Sequence, residues 1–278
     1  MSKLRRFGST QTLLSWCYLS NSFWQFESHW DQGTLILDLD HNQVDAIHAP
    51  SEARLTTIES AARRATMTIS SSRSMNYWIL SRSLGPCELI FNGIDPSRFQ
   101  AINEANKQSQ LQVGYVGSLS KWIDYDAFED IIRSNPDARF LVAGKPHESE
   151  KWTALAKLQN VEFTGFLTPH EVPQFLAQLD MTLNLYRRLP GLDVNSMKIY
   201  ESLACHVPVA SLDYHDHLHT DFQGLMKTYA NATELGQSLR EVAALRRDPV
   251  WREEVDAFLE ASTWESRVAQ CLNSVADD

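Results

Sequence analysis

Short apolar runs alternate with amphipathic stretches along this chain, and the alternation predicts its elements. Residues 13–19 and 34–38 read as buried strands on either side of an aromatic-rich segment, 23–30. A helix follows over 50–65, apolar on one side and ending in Arg63 and Arg64, where cations suit the negative end of the helix dipole. Residues 66–70 form the next strand. The polar turn 70–73 is placed to cap a helix running to Leu84, and 88–91 make another strand before the Asn92-Gly93 turn. Strand–helix alternation of this kind implies a parallel sheet with crossover helices. Residues 100–110 are polar and unpatterned, which marks a linker.

The alternation then restarts. Strands are expected over 111–118, 138–144, 161–165, 181–185, 207–210 and 225–229, with helices over 125–134, 148–158 and 168–179 between the earlier ones. Thr168, Pro169 and Glu171 have the spacing of a capping box, in which cap and third helical residue satisfy each other's backbone donors. A helix starting at Asn195 or Ser196 precedes the strand at 207. From 232 onward the pattern is helical, over 233–247, 249–261 and 264–274. The fold class is therefore α/β with two Rossmann-like domains. The first (1–99) is incomplete. The second (111–278) is a complete parallel sheet flanked by helices.

Composition narrows the function. The 278 residues carry 35 acids and 25 Lys or Arg, a net charge of −10, and no basic run that would offset it for nucleic acid. The four cysteines, Cys17, Cys87, Cys205 and Cys271, are scattered without a CxxC pair, so a reducing cytoplasm is expected. No apolar run nears the roughly 20 residues of a membrane span. The basic start before 13–19 lacks the small-residue cleavage site of a signal peptide, and peripheral contact with the inner face of a membrane remains open.

Chemistry concentrates in 193–211. Lys198 stands in the first turn of a helix, where free N–H groups and the positive dipole end suit a diphosphate. Glu201 lies three residues on, sharing a face with it, and Asp193 stands eight residues before Glu201, spaced to meet sugar hydroxyls. The same spacing equally describes a surface Lys–Glu pair and a loop-capping Asp. Gly117 turns a strand toward a helix and leaves room for a phosphate. It is neither GxGxxG nor a P-loop. Asp38, Asp40 and His41 follow the end of a strand, where open α/β sheets place ligands, or else form a hydrated turn. His215, His217 and His219 would share one face of a strand, which makes a zinc site conceivable, though a polar turn accounts for them as well.

Taken in order, 115–126 (YVGSLSKWIDYD), 140–144 (FLVAG), 160–165 (NVEFTG) and 196–210 (SMKIYESLACHVPVA) resemble the nucleotide-sugar half of GT-B glycosyltransferases. The likeness is to bacterial enzymes of cell-surface polysaccharide synthesis of the teichuronic-acid and xanthan type. Residues 69–72 (ISSS), 91–95 (FNGID) and Phe99 resemble that family's exit from its first domain. Thr263-Trp264-Glu265 resembles the start of a last helix, about 263–275, which in the family packs back on the first domain.

The resemblance implies transfer of a sugar from a nucleoside-diphosphate donor to a carbohydrate or lipid-linked acceptor, without metal or other cofactor. It implies a donor site in which Gly117 and Ser118 lie beneath the phosphates with Lys121 and Lys198 near them. Glu201 would bond the ribose, Asp193 the donor sugar, and the Gly165–Phe166 turn the base. Asp40 and His41 fall in the acceptor-side domain, which usually supplies the base. Three departures stand out. Asp193 replaces a glutamate. His206 replaces a glycine, so the helix is expected to end without a left-handed residue. The first domain is shortened, which leaves open a partner chain completing it, and, as an alternative function, a catalytically inactive relative that binds a sugar nucleotide or acts as a subunit.

Overall fold

The computed structural model describes residues 13–18, 33–39, 52–99, 109–145, 149–190 and 193–276. The 23–30 segment, Asp40, His41 and most of the 100–110 linker lie outside them. The chain divides into two compact units. One comprises Met1–Asn92, Leu189–Asn195 and Glu265–Asp278; the other comprises Gly93–Arg188 and Ser196–Trp264.

In the first unit, β1 (Leu13–Tyr18), β2 (Gly33–Leu39), β3 (Met67–Ser70) and β4 (Cys87–Leu89) form a parallel sheet in that order. Helices α1 (Glu52–Arg64) and α2 (Arg73–Ser81) connect β2 to β3 and β3 to β4. The strand period of two sorts β2 between two cores. Leu35, Leu37 and Leu39 pack with Ile58, Met75 and Ile79 of α1 and α2, while Ile36 faces Met67, Ile69, Ile90 and Cys271. Cys271 belongs to α11 (Trp264–Ala276), so the last helix covers the opposite side of this sheet. Burial on both sides is why these strands read as apolar runs. Ser72 caps α2, accepting from the Met75 N–H at 3.1 Å, and the helix stops at Ser81, short of Leu84.

The second unit holds β5 (Gln112–Val116), β6 (Arg139–Ala143), β7 (Val161–Gly165), β8 (Met181–Asn184), β9 (Val209–Leu212) and β10 (Lys227–Tyr229). All pair in parallel, in the spatial order β10-β9-β8-β5-β6-β7. The chain builds outward from β5 through β6 to β7, then returns to β8 on the other side of β5. The β5–β8 boundary is thus a topological switch point, where open α/β sheets leave a crevice at their carboxyl ends. Helices α3 (Tyr125–Ser134), α4 (Ser149–Leu155) and α5 (Val172–Ala177) serve the first three strands. Helix α6 (Met197–Ala204) leads to β9, and α7 (Leu218–Asp221) precedes β10. Helices α8 (Ala232–Gln237), α9 (Leu239–Ala244) and α10 (Pro249–Ala261) complete the unit.

Several boundaries differ from the sequence expectation. The helix expected from Thr168 opens only at Val172. Glu171 accepts from both the N–H and the hydroxyl of Thr168 at 2.7 Å, so the capping interaction closes a turn ahead of the helix. The helix expected over 233–247 breaks at Ser238, which ends α8 and begins α9. The N-cap of α6 is Ser196; the Asn195 side-chain oxygen accepts from the Asn92 N–H at 3.0 Å, and its carbonyl from the Asn92 amide at 2.6 Å.

The end of α6 corrects the expectation for His206 outright. His206 is itself left-handed, at φ 49°. Its N–H reaches Leu203 O at 2.8 Å, and Val207 N reaches Ser202 O at 2.9 Å, which is the paired bonding of a Schellman close. The side chain compensates for the strained backbone. Its Nε2 lies 2.7 Å from Asp256 Oδ1, and its Nδ1 3.5 Å from Arg252, both on α10.

Candidate functional site

The glycine turns at the carboxyl edge of the second sheet are stitched to one another. Gly117 N–H donates to Ala143 O at 3.0 Å and Gly144 N–H to Gly165 O at 2.9 Å. The Gly117 N–H is therefore spent inside the protein and is not a free phosphate donor. What Gly117 supplies is space. At φ +135°, a Cβ there would lie 3.2 Å from both Cε and Nζ of Lys198. The turn is what lets the lysine lie against the backbone.

Lys198 is in the first turn of α6, whose N-cap Ser196 makes no side-chain capping bond. As a residue it is half-buried, but its ammonium end is enclosed between two aromatic rings. Nζ lies 4.9 Å from the Tyr115 ring centre, 4.5 Å from that of Tyr186, and 3.3 Å from the Tyr115 hydroxyl. Burial alone would lower its pKa; the two tyrosines outweigh burial and raise it, so the ammonium stays charged.

Both rings are held from behind. Tyr115, at the end of β5 and fully buried, donates its hydroxyl to Ser118 O at 3.0 Å. Tyr186 follows β8 and bridges to Ile123 in the loop after β5. Its ring lies 5.1 Å from that of Tyr214. That loop is itself pinned: Asp124 N–H reaches Leu185 O at 2.8 Å, Arg187 N–H reaches Trp122 O at 2.9 Å, and the Tyr125 hydroxyl reaches Leu119 O at 2.8 Å. Lys198 thus sits between an aromatic side chain of β5 and one just past β8, the two strands that meet at the switch point.

Glu201, one turn along α6, is largely buried. Burial raises its pKa, opposed by Lys198 and Arg98. No described residue donates a hydrogen bond to its carboxylate, which leaves an acceptor pair beside a cation. Gly165 (φ +79°) has nothing within 4 Å of a would-be Cβ, and Phe166 beyond it is 71% exposed, so this turn is open. Ser118 is exposed and gives its carbonyl to Tyr115. Lys121 lies 4.9 Å over the ring of its neighbour Trp122.

Asp193 belongs to the other unit, where both its oxygens are engaged. Oδ1 accepts from the Ser72 hydroxyl at 2.6 Å and Oδ2 from the Ser74 N–H at 2.8 Å, at the start of α2. Asp40 and His41 lie outside the described residues. His215, His217 and His219 do not gather: among the described residues no group of three His, Cys, Asp or Glu could hold a metal ion. Among the described residues, no helix is long and apolar enough to cross a membrane. The sequence reading missed Tyr186 and Arg98 and gave Tyr115 no role. An aromatic residue just past a strand's carboxyl end, as Tyr186 is, was the available signal.

Residues 110–244 match the family profile described as Glycosyl transferases group 1. The matched stretch is just under half of the chain and is similar to a group 1 glycosyltransferase domain, and the α/β architecture is that of the GT-B fold. The chain is also similar to TuaH of Bacillus subtilis (strain 168), whose name assigns it to teichuronic acid biosynthesis. The two are 28% identical over 127 residues, which is 42% of this chain and 32% of TuaH. The match thus spans about a third of that relative's length. Two solved structures share the GT-B fold across both units. Sucrose-phosphate synthase from Thermosynechococcus elongatus superposes with a TM-score of 0.71 at 18% identity, over 95% of this chain and 73% of its own. Anabaena HepE in complex with UDP-glucose gives 0.64 at 16% identity, over 88% and 73%. At these identities the likeness is one of fold.

Proposed function

We propose that this protein transfers a sugar from a nucleoside-diphosphate donor to a carbohydrate or lipid-linked acceptor in surface polysaccharide synthesis. The observation that carries the reading is the pairing on α6. Lys198 is held charged at the switch point with no carboxylate of a described residue bound to it, and Glu201 beside it has no donor. A diphosphate supplies the missing anion, and a ribose supplies the missing hydroxyls. When the glycosidic bond to the donor breaks, negative charge grows on the departing diphosphate. Lys198 and the start of α6 are fixed in advance to stabilise that charge, and no solvent has to reorganise. In this reading the chain needs no metal for the step. Gly165 and Phe166 border the base, Ser118 and Lys121 the phosphate side, and Asp40 or His41 the acceptor side.

UDP is the first donor nucleotide to test, because HepE is solved with UDP-glucose. Calorimetry with UDP, GDP and dTDP, followed by donor hydrolysis and transfer assays, decides between an enzyme and a sugar-nucleotide binder. Binding with turnover is expected, and binding with no turnover of any donor sugar would leave the binder. Unchanged binding in both Lys198→Ala and Glu201→Ala would refute the site.

A further inference from the structure

We propose that Tyr115 and Tyr186 are positioning residues. Their rings form a cradle that holds the Lys198 ammonium over the Gly117 turn without neutralising it, so that a diphosphate becomes its first full counter-charge. The inference rests on the donor-site reading above and concerns what makes that site selective for diphosphate.

A buried lysine normally needs an anion. Here the groups facing Lys198 are the Tyr115 ring and hydroxyl from β5, the Tyr186 ring and hydroxyl after β8, and Glu201 on its own helix. Glu201 acts on it through space without an ion pair among the described residues, and Arg98 faces Glu201 in turn. Aromatic faces attract a cation through their quadrupole and carry no net charge. A carboxylate partner would compete with an arriving phosphate, and its displacement would oppose binding. A pair of tyrosines does neither. The ammonium stays charged and fixed in place between the two tyrosines, with no carboxylate of a described residue bonded to it.

The cradle is also rigid. The Tyr115 hydroxyl donates to Ser118 O at 3.0 Å, so the Lys198 Nζ, 3.3 Å away, meets an oxygen lone pair and not a competing O–H. The bridge between Ile123 and Tyr186 fixes the second ring. Two consequences follow. The site should distinguish diphosphate from uncharged nucleoside through this cation. Without the rings, burial should let Lys198 lose its proton at lower pH.

The test measures affinity by calorimetry for UDP, for uridine and for pyrophosphate, which needs no base contact, at pH 7 to 10. The proteins are the wild type, Tyr186→Leu, Tyr186→Phe, Tyr115→Phe and Lys198→Ala, each checked for wild-type circular dichroism. Tyr186→Leu is expected to lose at least tenfold for UDP and pyrophosphate and nothing for uridine, with its UDP affinity falling at lower pH than the wild type's. Tyr186→Phe keeps the ring and should stay within about threefold. Tyr115→Phe frees the Ser118 carbonyl and should weaken UDP without moving uridine. If Tyr186→Leu and Tyr115→Phe bind UDP as the wild type does at every pH while Lys198→Ala loses it, the cradle is refuted and the donor site stands. If Lys198→Ala binds UDP and pyrophosphate unchanged, or the wild type binds neither, the donor-site reading falls and this inference with it.

Discussion

Gly144→Ala is the sharpest single test of how the sheet edge builds the candidate site. A Cβ on Gly144 would come within 1.9 Å of Gly117 O and 2.9 Å of Gly117 C, where real Cβ atoms essentially never approach below 3.0 Å. The Gly117 turn would therefore have to retreat by about 1.1 Å, the difference between 3.0 and 1.9. The obstructing atom is backbone, so no side-chain rotation relieves it. Lys198 lies against the same turn, with Cε and Nζ 3.2 Å from a Cβ position on Gly117. Overpacking costs roughly 1–3 kcal/mol, and a positive φ on alanine adds about 1–2 kcal/mol. At about 2–4 °C per kcal/mol for a chain of this size, Tm should fall by roughly 4–20 °C. UDP affinity should fall with it, at temperatures where the variant is still folded. Gly165→Ala is the control, since it has the positive φ but nothing within 4 Å. It should lose only the smaller backbone contribution. Scanning fluorimetry and calorimetry on both variants read the difference. Equal Tm values for the two, or wild-type UDP binding by Gly144→Ala, would refute the reasoning.

Asp193→Ala should cost about 1–2 kcal/mol in urea unfolding, because the carboxylate accepts from Ser72 and Ser74 at the start of α2; no loss would show that these bonds contribute little. His206→Ala keeps the left-handed backbone and loses the Asp256 contact, so it should be the less stable by about 1 kcal/mol against His206→Gly, which relieves the backbone. For Glu201, burial raises the folded pKa above the unfolded one. The protonated carboxyl therefore stabilises the fold at acid pH, and that contribution is lost as pH rises through the folded value. Glu201→Gln should then raise stability at pH 7, by on the order of 1 kcal/mol, with the gain vanishing toward pH 4. The same variant should weaken donor binding; stability gained equally at pH 4 and pH 7 would refute the linkage.

Much of the fold was legible because both sheets are parallel and buried. Helices α3 and α10 have the predicted bounds, as does β7, because each begins or ends at a strong local signal: Asp124 caps α3, and Asp248 with Pro249 opens α10. Where local signals competed, the prediction slipped. The segment 233–247 is helical in propensity throughout, yet it packs as two helices joined at Ser238. Thr168 and Glu171 found each other as their spacing requires, but they closed a turn instead of starting the helix. His206 was read from residue preference, which disfavours a left-handed histidine. A tertiary contact to Asp256, 50 residues away, holds it there.

Periodicity and capping, which are local, fixed by themselves the α/β class, the alternation of elements, the Lys198–Glu201 pairing on one helix face and the glycines at the strand ends. The tertiary structure alone decided what these residues meet. Strand order brings β5 beside β8 across 68 residues of sequence, with Gly114 of β5 opposite Thr182 of β8. That places Tyr115 and Tyr186 around an ammonium that spacing could equally have put in solvent. It also spends the Gly117 N–H on Ala143 and turns the glycine's role from donating to making room. Hydrogen bonds and burial across a sheet depend on strand order, and strand order is a property of the whole chain.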